Sequence, residues 1–385
     1  MQIKQIIHGF MSIEPKEKLE SRKTFIKKTL FASFLSLMSC KEKASKPNIS
    51  ATPEIHWRCV SSYPRSLDTI YGGAEEVAEI VKKMSNGKFI IKVYPAGELV
   101  PPLGVFDTVQ NGGAEMAHTA SYYFTGKHEA LAFDTAVPFG LTSRQQNAWL
   151  YYGNGLNLIR EIYKEFNIIN FPGGNTGCQM GGWFKKEIKS LADLKGLKMR
   201  IPGLGGKVMS ALGVNVQVLA GGDIYPALER GAIDATEWVG PYDDEKLGFY
   251  KIAKYYYYPG WWEPGANLTF LINLKVWNDL PEAYKTILTT AFSYVNLSMQ
   301  AKFDVLNPQS LQRILKHNVI LKKFPDDILE KSYQKTKEIM EEFASKDPIY
   351  RKIYDSWKQF QKDSNEWFKT AEMSYENTID NFLKK

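Results

Sequence analysis

The sequence predicts an α/β fold of two similar lobes, with a ligand cleft between the lobes and a long C-terminal helix. Three observations support this prediction: an early strand–helix–strand order, a short helix–glycine–strand unit that occurs once in each half, and an amphipathic stretch near the end. A chain of 385 residues with 44% hydrophobic residues has enough apolar mass to fill two cores.

The first of these features is a parallel unit near the start of the chain. Residues 56–61 have the composition of a strand, and apolar residues recur at helical spacing after about Ser66. A β-rich run over residues 89–94 then ends at Pro95. Strand, helix and strand in this order predict two parallel strands with a right-handed crossover.

The repeated unit covers residues 106–117 and residues 225–235. Each copy has a short helix, a glycine suited to positive φ and a strand of small and apolar residues. A polar and aromatic corner follows each copy, at residues 121–123 and residues 237–238. Ligands of open α/β sheets bind beyond the carboxyl ends of strands, where we expect both corners to lie.

Arg200 is predicted to lie at the carboxyl end of another strand, residues 197–201, which follows a helix stop at Gly196. A guanidinium in this place can donate two parallel hydrogen bonds to a carboxylate, which a lysine cannot reproduce. From the residues alone, a surface arginine or an internal salt bridge is the more common outcome.

Two glutamates accompany this arginine as candidate site residues. Glu237 follows a strand, and Glu263 lies in an aromatic turn over residues 261–265. Carboxylates would repel an anionic ligand unless a hard cation such as Ca²⁺ or Na⁺ lay between them. Gln179 offers an amide oxygen to the same cation. The alternative is that both glutamates are solvated or form salt bridges. From the residues alone, this alternative is more common than a cation site.

Several large aromatic residues are candidates for the wall of a small pocket, although aromatic residues more often fill a core. Tyrosine hydroxyls among them can donate to a carboxylate. The candidates are Tyr122, Tyr123, Trp183, Trp238, Trp261 and Trp262.

The N-terminus has the pattern of an export signal. Basic residues at 22–28 precede an apolar run over residues 30–38 that is too short to span a bilayer, so residues 1–40 are predicted to be a signal peptide. Residues 21–27 resemble a twin-arginine signal with Lys23 at the second position. Residues 37–40 resemble a lipoprotein box that would place a lipid on Cys40, and an ordinary cleavage near residue 39 is the alternative. Residues 41–51 are polar and are predicted to form a tether.

Charge and motifs exclude other functional classes. The net charge is +7, but the first 40 residues contain seven basic and three acidic residues, so the remainder carries about +3, which argues against nucleic acid as a partner. No histidine pair, nucleophile triad or phosphate loop is present in the sequence, so binding is favoured over catalysis. Cys59 and Cys178 are expected to be small buried thiols rather than a disulfide.

Residues 191–200 and 221–234 resemble the core signature of the solute-binding proteins of TRAP transporters. Three further segments, residues 175–183, 237–241 and 259–265, are similar to the branch of this family that binds 2-oxo acids such as pyruvate, or lactate, often with a metal ion.

This resemblance implies a periplasmic binding protein fold with discontinuous lobes. The first lobe would comprise residues 52–176 plus 266–306, and the second residues 177–265 plus 307–348. Residues 349–385 would form the C-terminal helix, which serves as a homodimer contact in some relatives; packing on its own lobe is the alternative.

The resemblance also assigns roles to the candidate residues. Arg200 would hold the ligand carboxylate, Tyr122 or Tyr123 would line the opposite wall, and a Ca²⁺ or Na⁺ ion would complete the site. The implied cation ligands are the side chain of Gln179, that of Glu237, the backbone oxygen of Trp238, and the side chain of Glu263.

The function implied is that of a periplasmic receptor, without catalysis, that delivers a small carboxylate to integral-membrane TRAP permease subunits. Three alternatives remain open at this point. The chain would instead bind another carboxylate such as a sugar acid, or signal as a sensory lipoprotein, or act as an exported hydrolase or lyase with Glu237 and Glu263 as acid and base.

Overall fold

The computed structural model describes residues 53–384. The predicted signal peptide over residues 1–40, Cys40 and the tether over residues 41–51 lie outside the described residues. No helix within the described range is both long and apolar enough to span a bilayer.

Two β-sheets form the centres of two lobes. The strands, in chain order, are β1 (Ile55–Ser61), β2 (Phe89–Tyr94), β3 (Met116–Thr119), β4 (Ile168–Asn175), β5 (Gly182–Phe184), β6 (Lys198–Arg200), β7 (Asn215–Gln217), β8 (Ala235–Thr236), β9 (Tyr255–Tyr258), β10 (Asn267–Asn273) and β11 (Ile320–Lys323). The first sheet has the order β2-β1-β3-β10-β4, and the second has the order β11-β9-β5-β8-β6-β7.

Helices cover both sheets. In chain order they are α1 (Ile70–Met84), α2 (Val105–Gln110), α3 (Ala132–Thr135), α4 (Ser143–Tyr152), α5 (Gly155–Glu165), α6 (Gly203–Ala211), α7 (Gly221–Glu229), α8 (Pro241–Leu247), α9 (Leu274–Asn278), α10 (Glu282–Leu315), α11 (Asp326–Lys346), α12 (Pro348–Thr370) and α13 (Glu372–Leu383). Short 3₁₀ turns at Ser121–Phe124, Glu129–Leu131, Leu191–Leu194 and Phe249–Lys251 connect them.

The predicted parallel unit is present, because β1 pairs in parallel with β2 and also with β3. The helix between them begins at Ile70 and not at Ser66. The reason is a turn that precedes it, in which the backbone N–H of Leu67 donates to the carbonyl of Pro64. The antiparallel strand β10 then completes the sheet between β3 and β4.

Both copies of the repeated unit have the predicted form. Helix α2 leads through Gly112 to β3, and helix α7 leads through Gly231 to β8. Both glycines have φ +73, in the region that residues with a Cβ rarely adopt. The two corners therefore lie beyond the carboxyl ends of β3 and β8, one in each lobe.

Helix α10 connects the two lobes. It is 34 residues long and continues through the position between residues 306 and 307, where the second lobe was predicted to resume. It contacts α1 and β4 in the first lobe and α8 in the second. The predicted boundary therefore falls inside one helix and not in a loop.

The C-terminal region forms two helices and not the single helix that the sequence predicted. Helix α12 ends at Thr370, and α13 begins at Glu372. Arg144 lies over the Phe368 ring and pairs with Glu372, so contacts on both sides of residue 371 fix the bend. The first half of α12 packs on the core of its own chain through Ile353, Tyr354 and Trp357. Such packing was the alternative to a dimer contact in the sequence analysis.

Both cysteines in the described range are free, but only Cys59 is buried. The prediction that Cys178 is buried was wrong. Cys178 lies at a bend between Gly177, which has φ +69, and the buried Gln179, and its side chain is exposed. Its thiol is therefore directed away from the interior.

Candidate functional site

A cavity lies between the two lobes, at the carboxyl ends of their strands. The first lobe contributes Tyr63, Ile70, Tyr122, Tyr123, Thr176, Ala266 and Leu268 to its wall. The second lobe contributes Gln179, Arg200, Trp238 and Val239. All of the predicted ligand-binding residues therefore face one space.

The secondary structure explains why these side chains meet. Tyr122 and Tyr123 lie in the 3₁₀ turn directly after β3, Arg200 is the last residue of β6, and Trp238 follows β8. Strands β6 and β8 are parallel neighbours, with Arg200 opposite Thr236 in the register. Their carboxyl ends consequently bring Arg200 and Glu237 together at one edge of the sheet.

Arg200 is almost completely buried and has a donor directed to each of three partners. Its Nε donates to the carbonyl of Leu219 at 3.0 Å, Nη1 donates to the carboxylate of Glu237, and Nη2 lies 3.4 Å from the hydroxyl of Tyr123. Burial opposes its charge, but Glu237 together with Tyr122 and Tyr123 outweighs burial and raises the pKa of Arg200. The guanidinium therefore stays charged, with Nη2 facing the first lobe.

The two glutamates lie directly behind the cavity wall and are buried. Burial raises the pKa of Glu237 to about 7, although Arg200 acts in the opposite direction. Burial, followed by the charge of Glu237, raises the pKa of Glu263 well above its usual value. The hydroxyl of Tyr122 lies 3.5 Å from Oε2 of Glu263. Two carboxylates thus share one guanidinium, which leaves the fully ionised cluster with an excess negative charge.

Backbone hydrogen bonds hold Gln179 beside Glu263. The N–H of Gln179 donates to the carbonyl of Glu263 at 3.1 Å, and the N–H of Gly260 donates to the carbonyl of Gln179 at 3.0 Å. The side-chain Nε2 of Gln179 donates to Thr176 at 3.1 Å. The amide oxygen of Gln179 is left to face the site.

Two buried oxygens test whether a cation fits here. Gln179 Oε1 and Glu237 Oε2 have no hydrogen-bond partner within the described part of the chain. Buried oxygens without donors, next to an excess of negative charge, are the surroundings that a hard cation prefers. Among residues 53–384, no group of three or more His, Cys, Asp or Glu side chains is placed to hold a metal. The residues fit a cation that also takes amide, backbone and ligand oxygens.

The structure changes part of the predicted picture. The internal salt bridge that the sequence left open as an alternative for Arg200 is present, and its partner, which was not predicted, is Glu237. Trp183, Trp261 and Trp262 do not line the cavity; for example, Trp183 stacks on Tyr256 with 4.0 Å between ring centroids and belongs to a core.

Sequence reasoning missed Tyr63 and Thr176, which line the cavity. Tyr63 lies two residues after β1, and Thr176 directly follows β4. The same signal that identified Arg200, a polar residue just beyond the carboxyl end of a strand, was therefore available for both.

Comparison with known proteins identifies the family. Residues 60–347 match the family model described as bacterial extracellular solute-binding protein, family 7. A protein of Nostoc sp. named as a monocarboxylate 2-oxoacid-binding periplasmic protein is 55% identical over 342 residues, which are 89% of this chain and 94% of that protein.

Two solved structures are also similar over nearly their whole length. A TRAP transporter solute-binding protein from Bordetella bronchiseptica is 47% identical with a TM-score of 0.85, covering 86% of this chain and 99% of that chain; its structure is described as a mixed-occupancy dimer with copurified calcium and picolinate. A TRAP periplasmic solute-binding protein from Pseudoalteromonas atlantica, with bound sodium and pyruvate, is 40% identical with a TM-score of 0.82, covering 84% of this chain and 99% of that chain. The family model matches most of the chain, and these relatives are similar to it over nearly their whole length. This chain therefore belongs to family 7 of the bacterial extracellular solute-binding proteins, the solute receptors of TRAP transporters.

Proposed function

We propose that this receptor binds a small 2-oxo monocarboxylate of the pyruvate type, together with a Ca²⁺ or Na⁺ ion, and releases it chemically unchanged. The observation that carries the proposal is that Gln179 and Arg200 line one cavity and that Glu237 and Glu263 lie directly behind them. Relatives that are 40% to 55% identical and named for 2-oxo acids or pyruvate support it.

Arg200 is proposed to bind the ligand carboxylate. Its Nε and Nη1 have partners in the second lobe, and Nη2 donates to the hydroxyl of Tyr123 in the first lobe, a long bond that a ligand carboxylate would replace. A ligand carboxylate between Arg200 and Tyr123 would accept hydrogen bonds from both lobes and favour their closed arrangement. Among the lining residues of the described chain, Arg200 is the only one with a fixed positive charge, which favours one carboxylate over two.

The cation is proposed to be held by the side chains of Gln179, Glu237 and Glu263 and by the backbone oxygen of Trp238. When bound, it would supply positive charge that lets carboxylates and an anionic ligand share a buried space. Glu237, Glu263 and a monocarboxylate together carry three negative charges, against one positive charge on Arg200. A divalent ion such as Ca²⁺ would neutralise the loaded site, whereas Na⁺ would leave one negative charge.

The apolar part of the wall supports a short aliphatic ligand. Ile70, Val239, Ala266 and Leu268 face the cavity and give it an apolar side. A second carboxylate or the hydroxyl groups of a sugar acid would lose hydrogen bonds to water against this wall. We therefore propose that dicarboxylates and sugar acids bind more weakly than pyruvate.

Calorimetry on the chelator-treated, sodium-free protein tests this proposal. We expect pyruvate to bind at least about tenfold more tightly after Ca²⁺ or Na⁺ is restored, and succinate and glucuronate to bind more weakly than pyruvate under the same conditions. Arg200→Lys should lose most of this affinity, whereas Arg58→Ala, which removes an exposed pair with Glu115, should not. Equal pyruvate affinity with and without cations would remove the ion from the site, and pyruvate consumed during incubation would argue for an enzyme.

We further propose that residues 1–40 direct export of the receptor and that Cys40 is a lipid attachment site. The loaded receptor would then deliver its ligand to membrane permease subunits. The family membership supports delivery, and the residues before Cys40 support anchoring. Mass spectrometry of the mature protein should find a lipid on Cys40 that Cys40→Ser removes. A mature N-terminus without lipid would restrict the proposal to a free periplasmic receptor.

A homodimer through the C-terminal helices is the remaining proposal about partners. Trp367 on α12 and Tyr375 on α13 are 60% and 64% exposed, although large aromatic residues are usually covered. The Bordetella bronchiseptica relative is described as a dimer. Sedimentation of the wild type should give a dimer, and Trp367→Glu should give a monomer; a monomeric wild type at micromolar concentration would contradict the proposal.

A further inference from the structure

Phe139 is a first-lobe residue whose side chain packs in the second lobe. Its neighbours Val137 and Leu141 belong to the core that contains Phe133 and Trp149. The ring of Phe139 instead packs against a separate cluster that includes Trp261 and other second-lobe residues. The chain therefore directs one aromatic ring out of its own lobe and into the other.

The backbone at Phe139 has an unusual conformation, which directs the ring into the second lobe. Its φ is +54, in the left-handed region, which is unusual for a bulky residue. Such a conformation persists only where the surroundings determine it, and it is concentrated at functional sites.

Four contacts converge on Phe139. Its N–H donates to the carbonyl of Trp261 at 2.7 Å, and its ring stacks on Trp261 with 5.0 Å between centroids and 17° between planes. The ring of Tyr333 also meets it edge-on, with 5.4 Å between ring centroids. Its carbonyl accepts a hydrogen bond of 2.9 Å from the side chain of Gln361. The backbone and the ring of Phe139 thus both hold Trp261.

Trp261 lies in the loop that carries Glu263, two residues further on. The loop is fixed to Gln179 on one side by two backbone hydrogen bonds. On the other side it lies against the Phe139 segment, so closely at Gly265 that an added Cβ would be 2.2 Å from the backbone nitrogen of Ser143. Glu263 is therefore placed by a loop that is held between Gln179 and the segment that begins at Phe139.

We propose that Phe139 is a positioning residue for the cation site, which fixes Trp261 and through it the carboxylate of Glu263. This inference rests on the proposed function, because it concerns a cation bound by Glu263. Phe139 touches neither the cation nor the ligand. Phe139 instead determines the position of the Glu263 carboxylate relative to the amide oxygen of Gln179. That position determines how well these two groups can bind one ion.

The test compares three variants by calorimetric titration of Ca²⁺ into metal-free protein with saturating pyruvate. Phe139→Leu removes the stacked ring and should lower Ca²⁺ affinity by about tenfold, a size typical of groups that orient metal ligands. Phe139→Tyr keeps the ring and should retain nearly all of the affinity. Phe166→Leu is the matched control, because Phe166 is a partly buried ring that packs edge-on against Phe106 away from this loop.

Thermal unfolding of the metal-free proteins separates positioning from general destabilisation. We expect Phe139→Leu and Phe166→Leu to lower Tm by similar amounts, but only Phe139→Leu to weaken Ca²⁺ binding. If Phe139→Leu does not fold, Gln361→Ala removes only the hydrogen bond to the Phe139 carbonyl and should give a loss of a few-fold in the same direction.

The outcomes distinguish the two proposals. A wild-type protein that ignores Ca²⁺ and Na⁺ would overturn the proposed cation site, and this inference with it. A wild type that needs the cation, with unchanged Ca²⁺ affinity in the Phe139→Leu and Gln361→Ala variants, would overturn the role of Phe139 alone.

Discussion

Arg200 and Glu237 form a completely buried ion pair at the ends of two neighbouring parallel strands, with 1% and 0% of their side chains exposed. A buried pair of this kind adds little to stability compared with an apolar pair, but loss of one partner leaves an uncompensated charge in the interior. Glu263 adds a second buried carboxyl group whose pKa is raised by burial and by Glu237, so ionising the whole cluster requires a further positive charge. The placement is therefore explained better by a bound ion and ligand than by stability.

Glu237→Gln tests this interpretation, since it removes one negative charge and preserves the shape of the side chain. Ca²⁺ affinity should fall by about tenfold to a hundredfold, because a charged ligand becomes a neutral one. The free energy of unfolding should fall by about 3 kcal/mol, because Arg200 loses its partner. Calorimetry and urea denaturation measure the two effects. Glu115→Gln, at an exposed pair with Arg58, should change neither by a comparable amount, and an unchanged Ca²⁺ affinity in Glu237→Gln would remove Glu237 from the ion site.

The local part of the site was predictable from sequence because it follows from strand ends. Arg200 was expected at the carboxyl end of a strand, and the corners at Tyr122 and Trp238 were expected after a glycine with positive φ; all three have these positions. Each prediction depends on a few neighbouring residues, whose spacing fixes the direction of a side chain.

The contacts that sequence could not predict join residues far apart in the chain. The pair of Arg200 with Glu237 depends on the register of β6 and β8, and the stacking of Phe139 on Trp261 joins segments 122 positions apart. The helix break at residue 371 is likewise flanked by long-range contacts, because Arg144 on α4 contacts both Phe368 and Glu372. No periodicity or motif encodes such pairings, since they result from how the lobes pack.

Gly203→Ala should weaken ligand binding, because Gly203 brings the second lobe into close contact with Tyr122. Its φ is +61, and an added Cβ would lie 3.0 Å from Cβ of Tyr122. Closure over the ligand would then require Tyr122 to move, and we expect an affinity loss of about fivefold for pyruvate, or about 1 kcal/mol.

Gly231→Ala is the control for backbone strain alone. Gly231 has φ +73, but an added Cβ there would meet no atom within 4 Å. We expect both alanine variants to lose about 1 kcal/mol of unfolding free energy, and only Gly203→Ala to lose affinity. Equal pyruvate affinities in the two variants would show that the approach of Gly203 to Tyr122 does not limit closure.

Asp68→Asn should speed ligand release, because Asp68 is a first-lobe carboxylate that binds second-lobe donors. It accepts hydrogen bonds from the hydroxyl of Tyr242 at 3.1 Å and from Lys246, both on α8, and it pairs with Lys302 on α10 at 3.1 Å. Partial burial opposes ionisation, but these lysines outweigh it and lower the pKa of Asp68. Exposed pairs are weak, so an increase of about fivefold in the dissociation rate of pyruvate is expected, or about 1 kcal/mol.

Stopped-flow measurements at two salt concentrations test whether the ion pairs of Asp68 slow the release of pyruvate. Salt should speed release from the wild type more than from Asp68→Asn, because screening weakens only the intact pairs. Asp107→Asn removes an exposed pair with Lys127 within the first lobe and should leave the rate unchanged. Wild-type kinetics in Asp68→Asn at low salt would mean that these contacts do not hold the lobes closed.

His118 should make the protein less stable in mild acid. It is fully buried on β3, stacked on Phe270 at 4.6 Å between ring centroids, and neither ring nitrogen has a hydrogen-bond partner in the described chain. Burial lowers the pKa of His118 from 6.5 to about 3. Between these two values the unfolded chain binds a proton that the folded chain does not, so the free energy of unfolding falls as pH decreases below 6.5.

The size of this effect follows from the same linkage. Each pH unit between 6.5 and the lowered pKa removes about 1.4 kcal/mol from the free energy of unfolding. Burial raises the pKa of Asp243 and of Asp244 to about 7, which acts in the opposite direction over part of this range. The informative quantity is therefore the difference between the wild type and a variant that lacks only the imidazole.

His118→Phe provides that difference, because a phenylalanine ring can occupy the same apolar space without titrating. Urea denaturation at pH 7.5, 6.5, 5.5 and 4.5 should show the variant gaining on the wild type by about 1.4 kcal/mol per unit below pH 6.5, and a constant difference above it. His56→Asn, at an exposed position, should keep the wild-type slope. Parallel pH profiles for His118→Phe and the wild type would mean that the folded protein accommodates the imidazolium, for example by local opening of β3, and would contradict the lowered pKa of His118.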